Sequence, residues 1–124
     1  MRILIDTHIL LWCLEDSPKL TAAARRLIED PDNEIYVSKA TAWEIEIKRM
    51  LGKLTIADDF MERIEEGFSW LSIELRHIKE LRALSSIHRD PFDRMLVAQA
   101  KCESMALLSH DDILSQYGDF VRKV

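Results

Sequence analysis

The sequence predicts an α/β fold with a mostly parallel central sheet, and three observations predict it. Apolar segments of strand length alternate along the chain with segments of helical periodicity. The run Ile3-Leu4-Ile5 and residues 105–108 are apolar at every position, as strands buried on both faces of a parallel sheet are. No internal repeat, linker or low-complexity stretch interrupts the 124 residues, so one domain, residues 1–124, is expected.

Ile3-Leu4-Ile5 is the first strand, closed by Asp6-Thr7, and Ile9, Leu10, Trp12 and Cys13 begin a helix. A second helix follows Pro18, with Leu20, Ala24, Leu27 and Ile28 on one face. The turn cluster Asp30-Pro31-Asp32-Asn33 leads into a strand over residues 34–37. Ser38 is placed to cap a long helix over residues 39–51, and Gly52 to stop it. Phe60, Ile64 and Phe68 share a helical stripe, whereas Leu71, Ile73 and Leu75 alternate with polar residues as in a strand wet on one face. A helix carrying Ile78, Leu81 and Leu84 precedes Asp90-Pro91-Phe92-Asp93-Arg94, which opens an apolar helix ending near Ser104. The buried strand over residues 105–108, a short helix over residues 112–117 and a stub around Val121 complete the chain.

Composition narrows the function. Hydrophobic residues make up 48% and charged residues 31%, an ordinary balance for a globular chain. The net charge is −5 and the pI about 5.3, which excludes a broad basic face for nucleic acid. A polyanionic substrate would have to be held by local basic patches or bound metal ions. Cys13 and Cys102 make neither a disulfide framework nor a metal-ligand spacing, so a reduced, cytoplasmic setting is expected. Asp6 interrupts the first apolar run, which leaves no secretory h-region there, and residues 9–14 are too short to span a membrane.

The chemistry is concentrated in acids. Asp93 shares a helical side with Leu96, Val97 and Ala100, so a carboxylate is aimed inward and needs a cation beside it. In open parallel sheets ligands bind beyond the carboxyl ends of the strands. Asp6 follows the first strand, Asp111 follows the strand over residues 105–108, and Glu44 lies early in the helix after the second strand. With Asp93 these acids can gather at one sheet edge. Such a cluster suits magnesium or manganese, which take oxygen ligands, lower the pKa of a bound water and offset charge on a phosphoryl oxygen. Thr7 and Ser109 are placed to orient a water or a carboxylate from behind the ligands.

Four stretches carry a resemblance: Leu4-Ile5-Asp6-Thr7-His8, Ser38 through Trp43-Glu44-Ile45 to Lys48, His88-Arg89-Asp90-Pro91-Phe92-Asp93-Arg94, and Leu108-Ser109-His110-Asp111. In this order, over nearly the full length, they resemble the PIN-domain proteins, and within them the compact VapC-type ribonuclease toxins of toxin–antitoxin modules. The resemblance implies a three-layer α/β/α fold and a magnesium- or manganese-dependent endoribonuclease. It implies that Asp6, Glu44, Asp93 and Asp111 hold the metal, and it implies a homodimer and a small antitoxin that blocks the site. Asp112 competes with Asp111 for the fourth position. Asp90 competes with Asp93, although a place before Pro91 suits a helix cap.

Each acid also has a structural reading. Asp6 could end a strand, Glu44 could pair with Lys48 on a solvated helix face, Asp93 could serve the helix dipole, and Asp111 could cap the helix after it. The same coincidence would have to occur at four matching positions, and the site reading is preferred. Ser109-His110-Asp111 are too close in sequence to form a catalytic triad, and the histidines show no zinc spacing. His88 is read as supporting the loop before Asp90, and Arg94 as a possible tether for a site carboxylate. Lys39, Lys48, Arg49, Lys53, Arg89 and Arg94 are the basic residues near the motifs, and Trp12, Trp43, Phe60, Phe68 and Trp70 are assigned mostly to the core. From other functional classes come a catalytically silent PIN-like module that binds RNA or protein, and a DNA-directed nuclease.

Overall fold

The computed structural model describes residues 1–124. Five strands, β1 (Arg2–Ile5), β2 (Glu34–Ser38), β3 (Ser69–Leu71), β4 (Ala106–Ser109) and β5 (Val121–Lys123), form one sheet in the order β3-β2-β1-β4-β5. Every pairing is parallel, so the expected mostly parallel sheet is wholly so. Six helices flank it: α1 (Thr7–Glu15), α2 (Ala22–Glu29), α3 (Lys39–Met50), α4 (Phe60–Gly67), α5 (Leu75–Glu80) and α6 (Pro91–Glu103).

The period-two geometry of β1 divides the core into the two halves of an α/β/α sandwich. Ile3 and Ile5 face a cluster with Ile9 and Leu10 of α1, Ala24 of α2, Ile45 of α3, and Phe60 and Ile64 of α4. Leu4 faces the other way, onto Leu96, Val97 and Ala100 of α6. Each such Ile, Leu, Val or Phe side chain, taken fully out of water, contributes ~1.5–3 kcal/mol. A buried polar clasp joins the layers: Ser38 Oγ and Gln99 Oε1 are 2.6 Å apart, and the Ala40 amide donates to Ser38 Oγ at 3.0 Å, which makes Ser38 the cap of α3.

Three elements differ from the sequence reading. The alternation at Leu71, Ile73 and Leu75 is not a strand: β3 ends at Leu71, and Leu75 begins α5. A reciprocal cap between Glu74 and His77 starts that helix and overrides the period-two pattern, leaving Ile73 and Leu75 exposed. The stub around Val121 is a true strand, whose residues pair with Leu107 and its successors. Trp43 is 60% exposed rather than core, because the inward face of α3 belongs to its neighbours Glu44 and Ile45. No helix is long and apolar enough to cross a membrane.

Candidate active site

Asp6 follows β1 directly, and its amide donates to the Leu108 carbonyl of β4 at 3.1 Å. Its carboxylate is almost wholly buried and fully engaged: Oδ1 accepts from the Ile9 amide at 2.9 Å, and Oδ2 from Ser109 Oγ at 2.6 Å. Asp6 is therefore the cap of α1 as well as a site group. Burial pushes its carboxyl above the usual carboxylate range, the two hydrogen bonds and His8 pull it back, and Asp111 pushes it up again.

Glu44 is brought from α3 to the same place, with 4% of its surface exposed. Thr7 Oγ1 donates to Glu44 Oε1 at 2.7 Å, and Lys48 Nζ lies 2.7 Å from Oε2. The i,i+4 pair anticipated in the sequence is thus present, but its carboxylate is buried rather than on a solvated face. The hydrogen bond to Glu44 holds the Lys48 ammonium above its ordinary value.

Asp90 accepts the amides of Phe92 at 2.8 Å and Asp93 at 3.1 Å through Oδ1, and Pro91 takes the first helical position, where no amide is needed. This cap fixes the start of α6 and directs Asp93 at the other acids. The Asp93 carboxyl is pushed up to about 7, first by burial and then by Asp90, with Glu44 and Asp6 adding to the rise and His88 opposing it. Asp111, half-buried after β4, accepts from the Ile113 amide at 2.9 Å through Oδ1, and its own amide donates to Ser109 Oγ at 3.0 Å. Ser109 thus braces both Asp6 and Asp111. The neighbouring Asp112 turns out to solvent and pairs with Lys123 Nζ at 2.8 Å, which draws its carboxyl below the usual range.

His88 joins this group, a role its sequence position did not suggest. Its Nε2 lies 3.3 Å from Asp93 Oδ2 and 3.4 Å from Asp111 Oδ2. Its Nδ1 accepts from the Asp90 amide at 3.0 Å, so the ring proton belongs on Nε2, between the two carboxylates. Arg94, expected near a carboxylate, instead donates to the carbonyls of Ser85 (3.0 Å), His88 (3.4 Å) and Leu81 (3.4 Å) and to the Tyr117 hydroxyl (3.2 Å). Tyr117 in turn accepts from the His88 amide at 2.9 Å. Arg94 holds the loop that carries His88. The signal for His88 in the sequence was its place five residues before Asp93, in a stretch already singled out.

The donor set fits a hard divalent cation. Partial burial and the neighbouring acids together disfavour the charged form of the Asp93 carboxyl, and His88 Nε2–H supplies a positive edge at that spot. Asp93 and Asp111 offer carboxylate oxygens within 4.8 Å of one another, with His88 Nε2–H between them. Oxygen ligands predominate and no thiolate is near, which favours magnesium or manganese over zinc. The largest surface cavity, about 620 Å³, lies at the opposite ends of the strands beside Arg2, Lys101 and Arg122, away from this chemistry. Asp6 and Asp111 border a smaller one of about 230 Å³.

The chain matches the family model described as the PIN domain over residues 3–119. Among solved structures it is similar to a chain of the crystal structure of VapBC2 from Rickettsia felis bound to a DNA fragment from their promoter. That match has a TM-score of 0.71 and 11% identity, covering 94% of this chain and 93% of the other. It is also similar to a domain of a functionally unknown protein from Methanocaldococcus jannaschii, with a TM-score of 0.53, 18% identity and coverage of 93% and 81%. No curated protein matches it.

Proposed function

The chain belongs to the PIN domain family, and from that membership we propose that it is a magnesium- or manganese-dependent endoribonuclease, the toxin of a toxin–antitoxin pair. The observation that supports this reading is geometric: Asp93 and Asp111 bring carboxylate oxygens within 4.8 Å of one another at the place that Glu44 and Asp6 also face. Lys48 and His88 offset part of that negative charge, and a bound cation would offset the rest.

Asp6, Glu44, Asp93 and Asp111 would hold the cation. When bound, it supplies the charge that makes a water acidic enough to attack a phosphodiester and that offsets the charge of the phosphoryl oxygens. The residues around it have positioning tasks. Ser109 keeps the Asp6 and Asp111 groups in fixed relation, and Thr7 and Lys48 grip the two oxygens of Glu44. Asp90 starts α6 so that Asp93 points inward. His88 holds a proton at Nε2 between Asp93 and Asp111, which steadies them until the cation enters.

The likeness to a VapBC2 chain supports the toxin reading and an antitoxin partner, and a homodimer in the cytoplasm belongs to the same proposal. RNA rather than DNA as substrate is tested with matched oligonucleotides of the two kinds in magnesium. RNA should be cut and DNA left intact. Equal cutting of DNA would overturn that part of the reading.

A further inference from the structure

Beside the carboxylates lies a pocket that the reaction as described does not use. His8 and Trp12, one helical turn apart on α1, form one side, and His110, from the loop after β4, forms the other. Trp12 stands edge-on to His110 with ring centroids 5.3 Å apart and is tilted against His8 at 6.2 Å. Asp6 and Asp111 complete the lining of the same cavity, about 230 Å³. His110 Nδ1 is engaged by the Val124 backbone oxygen, which fixes the imidazole plane, and His110 itself is exposed. One side of Trp12 packs on the core, and the remainder faces this opening.

We propose that this pocket takes a nucleobase of the RNA chain, from the nucleotide adjoining the phosphate held at the carboxylates. The proposal rests on the nuclease reading for its substrate. The open faces and edges of three aromatic rings packed against one another offer stacking and edge contacts to a flat heterocycle laid over them, and an imidazole nitrogen can meet its polar edge. A chain with net charge −5 also needs a source of RNA affinity other than a basic face. Three of the basic side chains near the site are already engaged, Lys48 by Glu44, Arg49 by Glu46 and Asp58, and Arg94 by backbone carbonyls and Tyr117. Stacking supplies such affinity without charge, and continuity with Asp6 and Asp111 ties the base to the reacting phosphate.

The test uses a protein in which Trp43→Phe and Trp70→Phe leave Trp12 as the sole tryptophan, with every site acid kept and calcium in place of magnesium to hold the phosphate without turnover. Its fluorescence is titrated in calcium with hexa-adenylate and with an abasic oligoribonucleotide of equal length. Saturable quenching by hexa-adenylate is expected, with the abasic strand bound ~5- to 100-fold more weakly. His110→Ala, at an exposed position, should weaken hexa-adenylate at least ~5-fold, leave the abasic strand unchanged and preserve the thermal melt. Absence of base-dependent quenching, or equal losses for both strands, overturns the proposal. Cleavage of RNA by the unmodified protein is scored separately: quenching without cleavage sinks the nuclease and keeps the pocket, and cleavage without quenching does the reverse.

Discussion

Neutralising Asp93 should stabilise the metal-free protein, and should do so only at high pH. The folded carboxyl titrates near 7 against 3.8 when unconstrained, so the folded state binds its proton more tightly than the unfolded state. Linkage sets the sign. The contribution favours folding below about pH 4, falls as pH rises, and reaches its full loss above about pH 7. Carrying the group from 3.8 to about 7 corresponds to a ceiling of ~4 kcal/mol. The side chain is 23% exposed, and solvent screening there brings the expected gain for Asp93→Asn down to ~2 kcal/mol. For a chain of 124 residues that is ~6 °C in melting temperature. The assay is thermal unfolding in EDTA at pH 8 and at pH 4.5, for both proteins. The variant should melt higher at pH 8, with the gap nearly closed at pH 4.5. An equal or lower melting temperature at pH 8, or a gap that ignores pH, would refute the claim that burial and neighbouring acids disfavour the charged form of Asp93.

Three further outcomes follow from the same geometry. Magnesium at about a hundred times its dissociation constant should raise the stability of the unmodified protein by ~2.7 kcal/mol and that of Asp93→Asn much less, read by calorimetric melts with and without the ion. Ser109→Ala strips a hydrogen bond from both Asp6 and the Asp111 amide, so it should cost ~1–3 kcal/mol in denaturant unfolding. It should also push the Asp6 carboxyl further up, so that magnesium affinity falls more at pH 6 than at pH 8 in a titration. Ser38→Ala removes the cap of α3 and leaves buried Gln99 Oε1 without its partner, and urea unfolding should show a loss of ~2–4 kcal/mol.

What the sequence disclosed and what it withheld divide along physical lines. Ile3-Leu4-Ile5 is apolar throughout, and burial on both faces of a central strand is the condition that such a run satisfies. Asp90 before Pro91 was legible as a cap because capping is local chemistry, settled within three residues. The period-two pattern at Leu71, Ile73 and Leu75 misled because the Glu74–His77 cap, equally local, outweighed it. His88 was underweighted for a different reason: its contact with Asp111 depends on a loop held by Arg94 and Tyr117, far apart along the chain. Asp111 and Asp112 could not be separated by sequence, since the distinction lies in Lys123, brought alongside Asp112 by β5. The pocket around Trp12 was hidden likewise, because His110 is remote from it along the chain and is brought beside it by the pairing of β4 with β1.

The measurement that bears most directly on the central claim is cleavage of a mixed RNA pool by the folded protein in magnesium or manganese, in EDTA, and by Asp6→Asn. Cleavage that needs the ion and disappears in the variant is the result predicted here. Cleavage that persists in EDTA, or in the variant at the unmodified rate, would contradict it.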